Sequence, residues 1–328
     1  MIAPLPFEEW ITQDLANHFG GVAVTLEGPV SIRDYSQIYR AHVHTSPATY
    51  LAVKRCLVPR TTTPDTATAL DQYAALARVG QAMRRYSPRY FVPEPIFVSP
   101  EMATLAMSWV GGKPLTNMLR HPAVLTRGAA WFSDVGTWLG YFHAAGPARV
   151  SLFDCEARKQ NLSELQASPL PNATFMPAVW IATNHLQKLS GLKVHASWLH
   201  GDCKTDNFMI DGKSIYAIDV SLKHENAVEY DLAQFLNHLD LNLLSPQSIL
   251  QRGFRSAFAR AFLRGYEASG LQISRECLEW TRLWAALALW RSTLLGRATT
   301  GKTWILDHVF SSLVRDRCKA LTGLSIQS

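Results

Sequence analysis

The chain has no C-x-x-C pair. Its five cysteines, at 56, 155, 203, 277 and 318, are scattered and odd in number. That excludes a disulfide framework and fits a reducing compartment, so a cytoplasmic location is expected. Long hydrophobic runs are also missing. The longest apolar stretch at helical spacing, near Leu283 to Trp290, falls far short of the roughly 20 residues a membrane helix needs. The start, Met1-Ile2-Ala3-Pro4-Leu5-Pro6-Phe7-Glu8-Glu9, has neither a basic segment nor an apolar core, so no signal peptide is expected. There is no long Lys/Arg run, although the net charge is +6. Such a balance favours anionic ligands such as nucleotides over nucleic acid. The basic-aromatic cluster of Arg84, Arg85 and Arg89 beside Tyr86 and Tyr90 reads as a helix end.

What is present is enough for two lobes. A chain of 328 residues with 48% hydrophobic residues exceeds one ordinary core. Phe7, Trp10, Ile11, Leu15 and Phe19 repeat at helical spacing, and Gly20-Gly21 ends that helix. Strand-like runs follow at 22–26, 37–44 and 49–57, with another at 103–107. Trp131, Val135, Trp138, Leu139 and Phe142 give a later helical stripe, and residues 150–175 read as irregular.

The densest chemistry lies in His200-Gly201-Asp202-Cys203-Lys204-Thr205-Asp206-Asn207, with Asp219 twelve positions on. Phosphoryl transfer depends mostly on positioning and charge neutralisation. A divalent metal needs hard oxygen ligands, which Asn207 and Asp219 supply. An acceptor hydroxyl needs a carboxylate to orient it and take its proton, and Asp202 fits that task. Asp211-Gly212-Lys213 sits between two short apolar runs, which predicts a hairpin that returns the chain so that Asp219 lies beside Asn207. The alternative of a zinc site from His195, His200 and Cys203 lacks a fourth ligand at a usual spacing.

His-Gly-Asp-x-x-x-x-Asn followed by Ile218-Asp219, with Tyr230-Asp231-Leu232-Ala233 beyond, resembles the aminoglycoside phosphotransferase and choline kinase-like small-molecule kinases. The resemblance spans about residues 20 to 300 and is strong over 198–236. It implies an α+β, two-lobed protein kinase-like fold, with a small antiparallel-sheet lobe at 1–110 and a larger, mainly helical lobe at 111–328. The activity implied is transfer of the γ-phosphate of ATP, with Mg2+, to a small-molecule hydroxyl acceptor. Asp202 would be the base, Lys204 would neutralise charge on the transferring group, and Asn207 and Asp219 would hold the metal.

The same resemblance extends to the nucleotide. Leu51-Ala52-Val53-Lys54 resembles the strand whose Lys holds the α- and β-phosphates. After the strand at 103–107, Ser108 to Leu115 resembles the connector between lobes, with Met107 behind adenine and Ser108 and Val110 on its edge. Two departures stand out. The expected phosphate-covering loop, residues 27–36, has one Gly, leaving Ser31 or Ser36 to reach a phosphate. Residues 65–86 contain no Glu, so Asp71 is the candidate partner for Lys54. His143 resembles a residue that buttresses the catalytic loop, and Asp231 is expected to cap its helix and bond that loop.

Other readings compete. Gly296-Arg297-Ala298-Thr299-Thr300-Gly301-Lys302-Thr303 satisfies the P-loop pattern, but a helical run precedes it and only 25 residues follow. A protein kinase is disfavoured, because Asp219-Val220-Ser221 lacks Phe-Gly and Tyr230 lies only eleven positions after Asp219. A nucleotide-binding pseudoenzyme or interaction module is the remaining alternative. The acceptor is not fixed: Asp206, Lys223, His224, Glu225 and Glu229 carry mixed signs, and oligomeric state is left open.

Overall fold

A computed structural model describes residues 6–167, 170, 172–222, 224–244, 253–295 and 303–327. The P-loop-like run at 296–302, Lys223, the first five residues and parts of the 168–172 loop lie outside them. Secondary structure runs α1 (Phe7–His18), β1 (Val24–Arg33), β2 (Ser36–Val43), β3 (Thr49–Cys56), α2 (Thr66–Met83), β4 (Tyr90–Phe91), β5 (Pro95–Ser99), β6 (Thr104–Ser108) and β7 (Lys113–Pro114). It continues with α3 (Leu115–Met118), α4 (Val124–Ala145), β8 (Arg149–Leu152), α5 (Cys155–Ala167), α6 (Phe175–Lys188), β9 (Lys193–Trp198), β10 (Phe208–Asp211) and β11 (Ser214–Ala217). Last come β12 (Glu225–Ala227), α7 (Glu229–Leu244), α8 (Arg255–Glu267), α9 (Arg275–Leu295) and α10 (Thr303–Gln327).

The class is α+β. The chain packs as two units: Met1–Lys113 with Met209–Leu222, and Pro114–Phe208 with Lys223–Ser328. A single cut at 110/111 therefore becomes a discontinuous division, with the hairpin before Asp219 grouped with the N-terminal strands.

In the first unit a five-stranded sheet is ordered β1-β2-β3-β6-β5 and is antiparallel throughout. Phe7, Ile11 and Leu15 of α1 pack on Tyr39, Ala41, Val43, Leu51 and Val53, so the helical stripe and the alternating strand faces meet in one core. The expected phosphate-covering loop is not a separate loop. β1 runs through it, with a bulge between Glu27 and Ser31, and turns at Asp34-Tyr35. Glu27 and Ser31 lie four positions apart while their partners Arg40 and Ile38 lie two apart, so the ladder is interrupted only locally and the strand continues, which a glycine pattern does not reveal. β4, β11 and β10 follow one another in a second, small sheet.

The second unit is mainly helical. α4 and α8 pack closely because Gly136 meets the Phe262 carbonyl and Gly265 meets the Ser133 carbonyl, where a Cβ on either would collide. α6, α9 and α10 share a core around Phe175, Trp280, Leu287, Trp290 and Leu313. The Trp280 indole donates to the Ala182 carbonyl at 2.8 Å, which satisfies its buried N–H. A three-stranded sheet, β12-β9-β8, leads into the motif at 200–207. Residues 150–175 are not irregular: they contain most of β8 and all of α5. The buried positions of α5 are Arg158, Leu162 and Leu165. With a charged residue on its inner face, α5 shows too little apolar periodicity to be read as a helix. Among the described residues no helix is long and apolar enough to cross a membrane.

Candidate functional site

The first unit contains a cavity of about 280 Å³ whose walls include Ser31, Ile38, Ala52, Lys54, Met107, Ser108, Val110, Ile218 and Asp219. The strand register builds it. Lys54 pairs with Ile38 on one side and Leu105 on the other, and Ser31 pairs with Ile38. A larger groove of about 690 Å³ in the same unit runs along Tyr73, Tyr90, Phe91 and Tyr216, with neither Lys54 nor Asp219 in its wall. The connector fits the cavity closely. Gly112 lies against the Ile210 carbonyl, where a side chain would clash, which accounts for the second glycine after Val110.

Lys54 is 3% exposed, and its ammonium donates to Asp219 Oδ1 at 2.6 Å. Burial works to lower its pKa; the charge of Asp219 and the hydrogen bond to it outweigh burial, and the net shift is upward. The ammonium is therefore charged throughout the neutral range. Asp219 has φ of 57°, a left-handed conformation that is uncommon for a residue with a side chain. Such local strain often accompanies functional carboxylates.

Two residues expected here are elsewhere. Asp71 is exposed on α2, and the carboxylate that Lys54 meets is that of Asp219. Ser36 is buried at the hairpin end of β2, paired with Arg33 and Cys56, one strand repeat beyond the cavity. From the β1–β2 hairpin the serine in the cavity wall is Ser31.

In the second unit the loop after β9 is held from below by α7. Asp231 accepts the amides of His200 at 2.6 Å and Gly201 at 3.3 Å, and Gln234 accepts that of Cys203 at 3.0 Å. Asp231 lies within the first turn of α7, not at its cap, because the helix begins at Glu229. His143 bridges Asp231 Oδ2 at 3.1 Å and the Tyr266 hydroxyl at 2.9 Å. Thr205 meets Thr116 at 2.6 Å, His238 at 2.8 Å and Asn242 at 3.1 Å. Nothing in the local sequence pattern singled out Gln234, His238 or Asn242; their spacing on one face of α7 is the signal that would have found them.

Asp202 is half-exposed. Its Oδ2 accepts from Lys204 Nζ at 2.6 Å and from Asn207 Nδ2 at 2.9 Å. Asn207 Nδ2 also donates to the Asp202 carbonyl at 2.8 Å. Both amide protons of Asn207 are thus directed at Asp202, which leaves Asn207 Oδ1 as a hard-oxygen donor suited to Mg2+. Among the described residues no group of three or more His, Cys, Asp and Glu side chains is gathered to hold a metal by itself.

Glu229, next to this scaffold, is fully buried. One carboxyl oxygen accepts the Ser274 amide at 2.9 Å, and the other has no partner among the described residues. Burial pushes its pKa from 4.5 up to about 7. The folded state therefore keeps a proton that the unfolded chain loses. Stability contributed by the neutral carboxyl is complete at low pH and declines between pH 4.5 and about 7, then levels off. We expect a decline on the order of 2–3 kcal/mol across that window. Urea denaturation at pH 5 and pH 7.5 measures it. Glu229→Gln should remove most of the difference, and an unchanged difference in that variant would reject the assignment.

The phosphotransferase enzyme family matches residues 42–289, more than half of the chain. No curated protein sequence matches it. Among solved structures, a choline/ethanolamine kinase family protein from Mesorhizobium loti has 13% identity and a TM-score of 0.62, covering 95% of this chain and 98% of that one. A putative fructosamine-3-kinase from Thermobifida fusca has 17% identity and a TM-score of 0.58, with 95% and 98% covered. A glucosamine kinase has 16% identity and a TM-score of 0.62, with 99% and 88% covered. At these identities the likeness to solved structures is one of fold.

Proposed function

Because the chain belongs to the phosphotransferase enzyme family, we propose that it moves the γ-phosphoryl of ATP to a hydroxyl of a small molecule. The two-lobed protein kinase-like fold shared with the small-molecule kinases above is consistent with this reading. The observation that carries it is the pairing of the buried Lys54 with the partly exposed Asp219, in a cavity whose wall also includes Met107, Ser108 and Val110. Such a cavity offers an apolar slot for a base, peptide groups at one edge, and a fixed cation for phosphates. In this reading Lys54 holds phosphate oxygens, Ser108 and Val110 meet the adenine edge, and Met107 packs behind it. Ser31 takes the part that Ser36 was expected to play.

Asp202 orients the acceptor hydroxyl and receives its proton. Lys204 holds the Asp202 carboxylate at 2.6 Å and keeps positive charge where the transferred group gains negative charge. Asn207 and Asp219 are the residues that would hold Mg2+. When bound, Mg2+ supplies charge neutralisation for the phosphates. Asp231, His143 and Gln234 fix the loop, so that Asp202 is held in place before substrate arrives. The acceptor belongs to the range acted on by small-molecule kinases: a sugar, polyol, amino alcohol or aminoglycoside-like compound.

The test is ATP titration at fixed magnesium. A charge-assisted bond is typically worth about 1.5–3 kcal/mol, so Lys54→Ala should bind ATP about tenfold or more weakly. Lys54→Met, which keeps more of the buried stem, guards against loss of folding. Lys302→Ala, in the P-loop-like run, should bind as the parent does. Parental ATP affinity in both Lys54 variants would reject the reading, and loss of binding in Lys302→Ala would favour the P-loop.

A further inference from the structure

Arg158 of α5 is 91% buried, since its exposure is 9%. Its guanidinium lies 4.4 Å from the centre of the Tyr230 ring and 5.5 Å from that of Trp284. Tyr230 and Trp284 stand nearly perpendicular at 89°, with ring centres 5.7 Å apart, and form two walls of an aromatic box. Trp280 stacks behind Trp284. Both ring contacts are cation–π contacts, which offset part of the cost of burying a cation but use none of its N–H donors.

One of those donors is both buried and unmatched among the described residues. The Arg158 Nε has no hydrogen-bond partner, and no carboxylate pairs with the guanidinium among the described residues. Of the nearby acids, Asp154 accepts the Ala157 amide, and Glu229 accepts the Ser274 amide through one oxygen and leaves the other without a partner; neither pairs with Arg158 among the described residues. The Tyr230 hydroxyl, on one wall, is also buried and without a partner among the described residues. Burial pushes the Tyr230 phenol upward, so it remains a neutral donor. Buried charge without a counter-charge is strongly disfavoured. Two buried donors without a partner among the described residues point to an acceptor group that those residues do not provide.

The place of this cluster in the fold gives it a role. Tyr230 directly precedes Asp231, whose carboxylate holds the amides of His200 and Gly201 at the start of the loop bearing Asp202. We propose that Arg158, with the Tyr230 hydroxyl, is the specificity-determining anchor for an oxyanion on the phosphoryl acceptor. The acceptor is then a small hydroxyl compound that also carries a carboxylate or phosphate group. This rests on the phosphotransferase reading above. It also excludes a quaternary ammonium from the box, because the chain's own guanidinium already lies against both rings. Arg suits the task, since its planar fork pairs with two oxygens of one anion.

The experiment uses two matched sets: glucose, glucosamine, glucuronate and glucose 6-phosphate, and glycerol, serinol, glycerate and glycerol 3-phosphate. Binding is measured by calorimetry without nucleotide, then turnover by ADP release with Mg-ATP. In at least one set, an acidic member should bind at least tenfold more tightly than its neutral and amino counterparts. The carboxylate and phosphate arms tell which oxyanion is preferred. Arg158→Met, which keeps an apolar stem in the box, should abolish that preference while leaving ATP affinity unchanged. Tyr230→Phe, which removes only the hydroxyl, should weaken acidic members several-fold and leave neutral ones alone. The inference is overturned if neutral or amino members bind as well, if Arg158→Met retains the preference, or if no acidic member binds. Oxyanion preference without ADP release would overturn the kinase reading alone. ADP release with a preferred neutral or amino acceptor would overturn this inference alone.

Discussion

Asp202→Asn is expected to lower kcat by about 10²–10⁴-fold, the range that positioned proton transfer typically supplies, while leaving Mg-ATP affinity close to the parent's. The substitution is nearly isosteric. Asp202 is half-exposed, and its Oδ2 takes bonds from Lys204 and Asn207. An Asn keeps one carbonyl oxygen to accept from these donors, so the loop should persist; what is lost is the base and its charge. Asp219→Asn should behave differently. Asp219 is paired with Lys54 in the wall of the cavity proposed for the nucleotide, and its proposed role is to hold metal. Its loss should weaken nucleotide binding in the presence of magnesium and have little effect in its absence. Steady-state ADP release and nucleotide titration with and without magnesium separate the two variants. Parental turnover in both would reject the kinase assignment, whereas ATP binding without turnover in the unsubstituted chain would favour a pseudoenzyme.

Much of the scaffold beneath these residues was legible in the sequence, for identifiable reasons. The stripe Phe7, Ile11, Leu15 became α1 because each of these residues is buried. The runs at 37–44 and 49–57 became β2 and β3, since alternation on a half-buried sheet leaves a period-2 pattern. The motif at 200–207 was legible because its residues are close in sequence and bond one another locally, as Asn207 does to Asp202. Long-range pairing was harder to foresee. Lys54 meets Asp219 across 165 positions, and no local pattern distinguishes Asp219 from Asp71 as its partner. Ser31 and Ser36 differ by their place along a bulged hairpin, which composition cannot fix. α5 was missed because its inner face carries Arg158, where a periodicity search expects an apolar residue. The residue that hid the helix is the one that gives the acceptor side its chemistry.

Asp240→Ala should be the most damaging single change to stability, with an expected loss of about 3–5 kcal/mol, the usual cost of removing one partner from a buried ionic cluster. Nothing about Asp240 stands out in the sequence, where it reads as one more polar residue in a helix. In the structure it is 2% exposed on α7 and binds three guanidiniums. Arg255 reaches it through two nitrogens at 2.6 and 2.9 Å, Arg282 at 2.8 Å and Arg317 at 3.0 Å. Those arginines come from α8, α9 and α10, so one carboxylate ties four helices. Burial works to raise the Asp240 pKa, but the Arg255 hydrogen bonds and the charges of Arg282 and Arg317 prevail, and the net shift is downward. Its contribution is therefore present above the ordinary carboxylate range and is lost as pH falls through the lowered value. Arg317 shows the other side of the balance: burial first, then the neighbouring Arg282, bring its pKa down to about 10. Without Asp240 the buried guanidiniums repel one another, with Glu279 left to face Arg282 at 3.1 Å and Arg317 at 3.5 Å. The consequence reaches the candidate site, because α7 also carries Asp231, Gln234 and His238, which hold the 200–207 loop. Asp240→Ala should therefore lower the denaturation midpoint, and the activity lost on warming should track the unfolded fraction. Asp240→Asn, which keeps the shape and some hydrogen bonds but not the charge, should lie between parent and Ala. A loss below about 1 kcal/mol in Asp240→Ala, at the level of an ordinary exposed ion pair, would show that the four helices do not depend on this carboxylate.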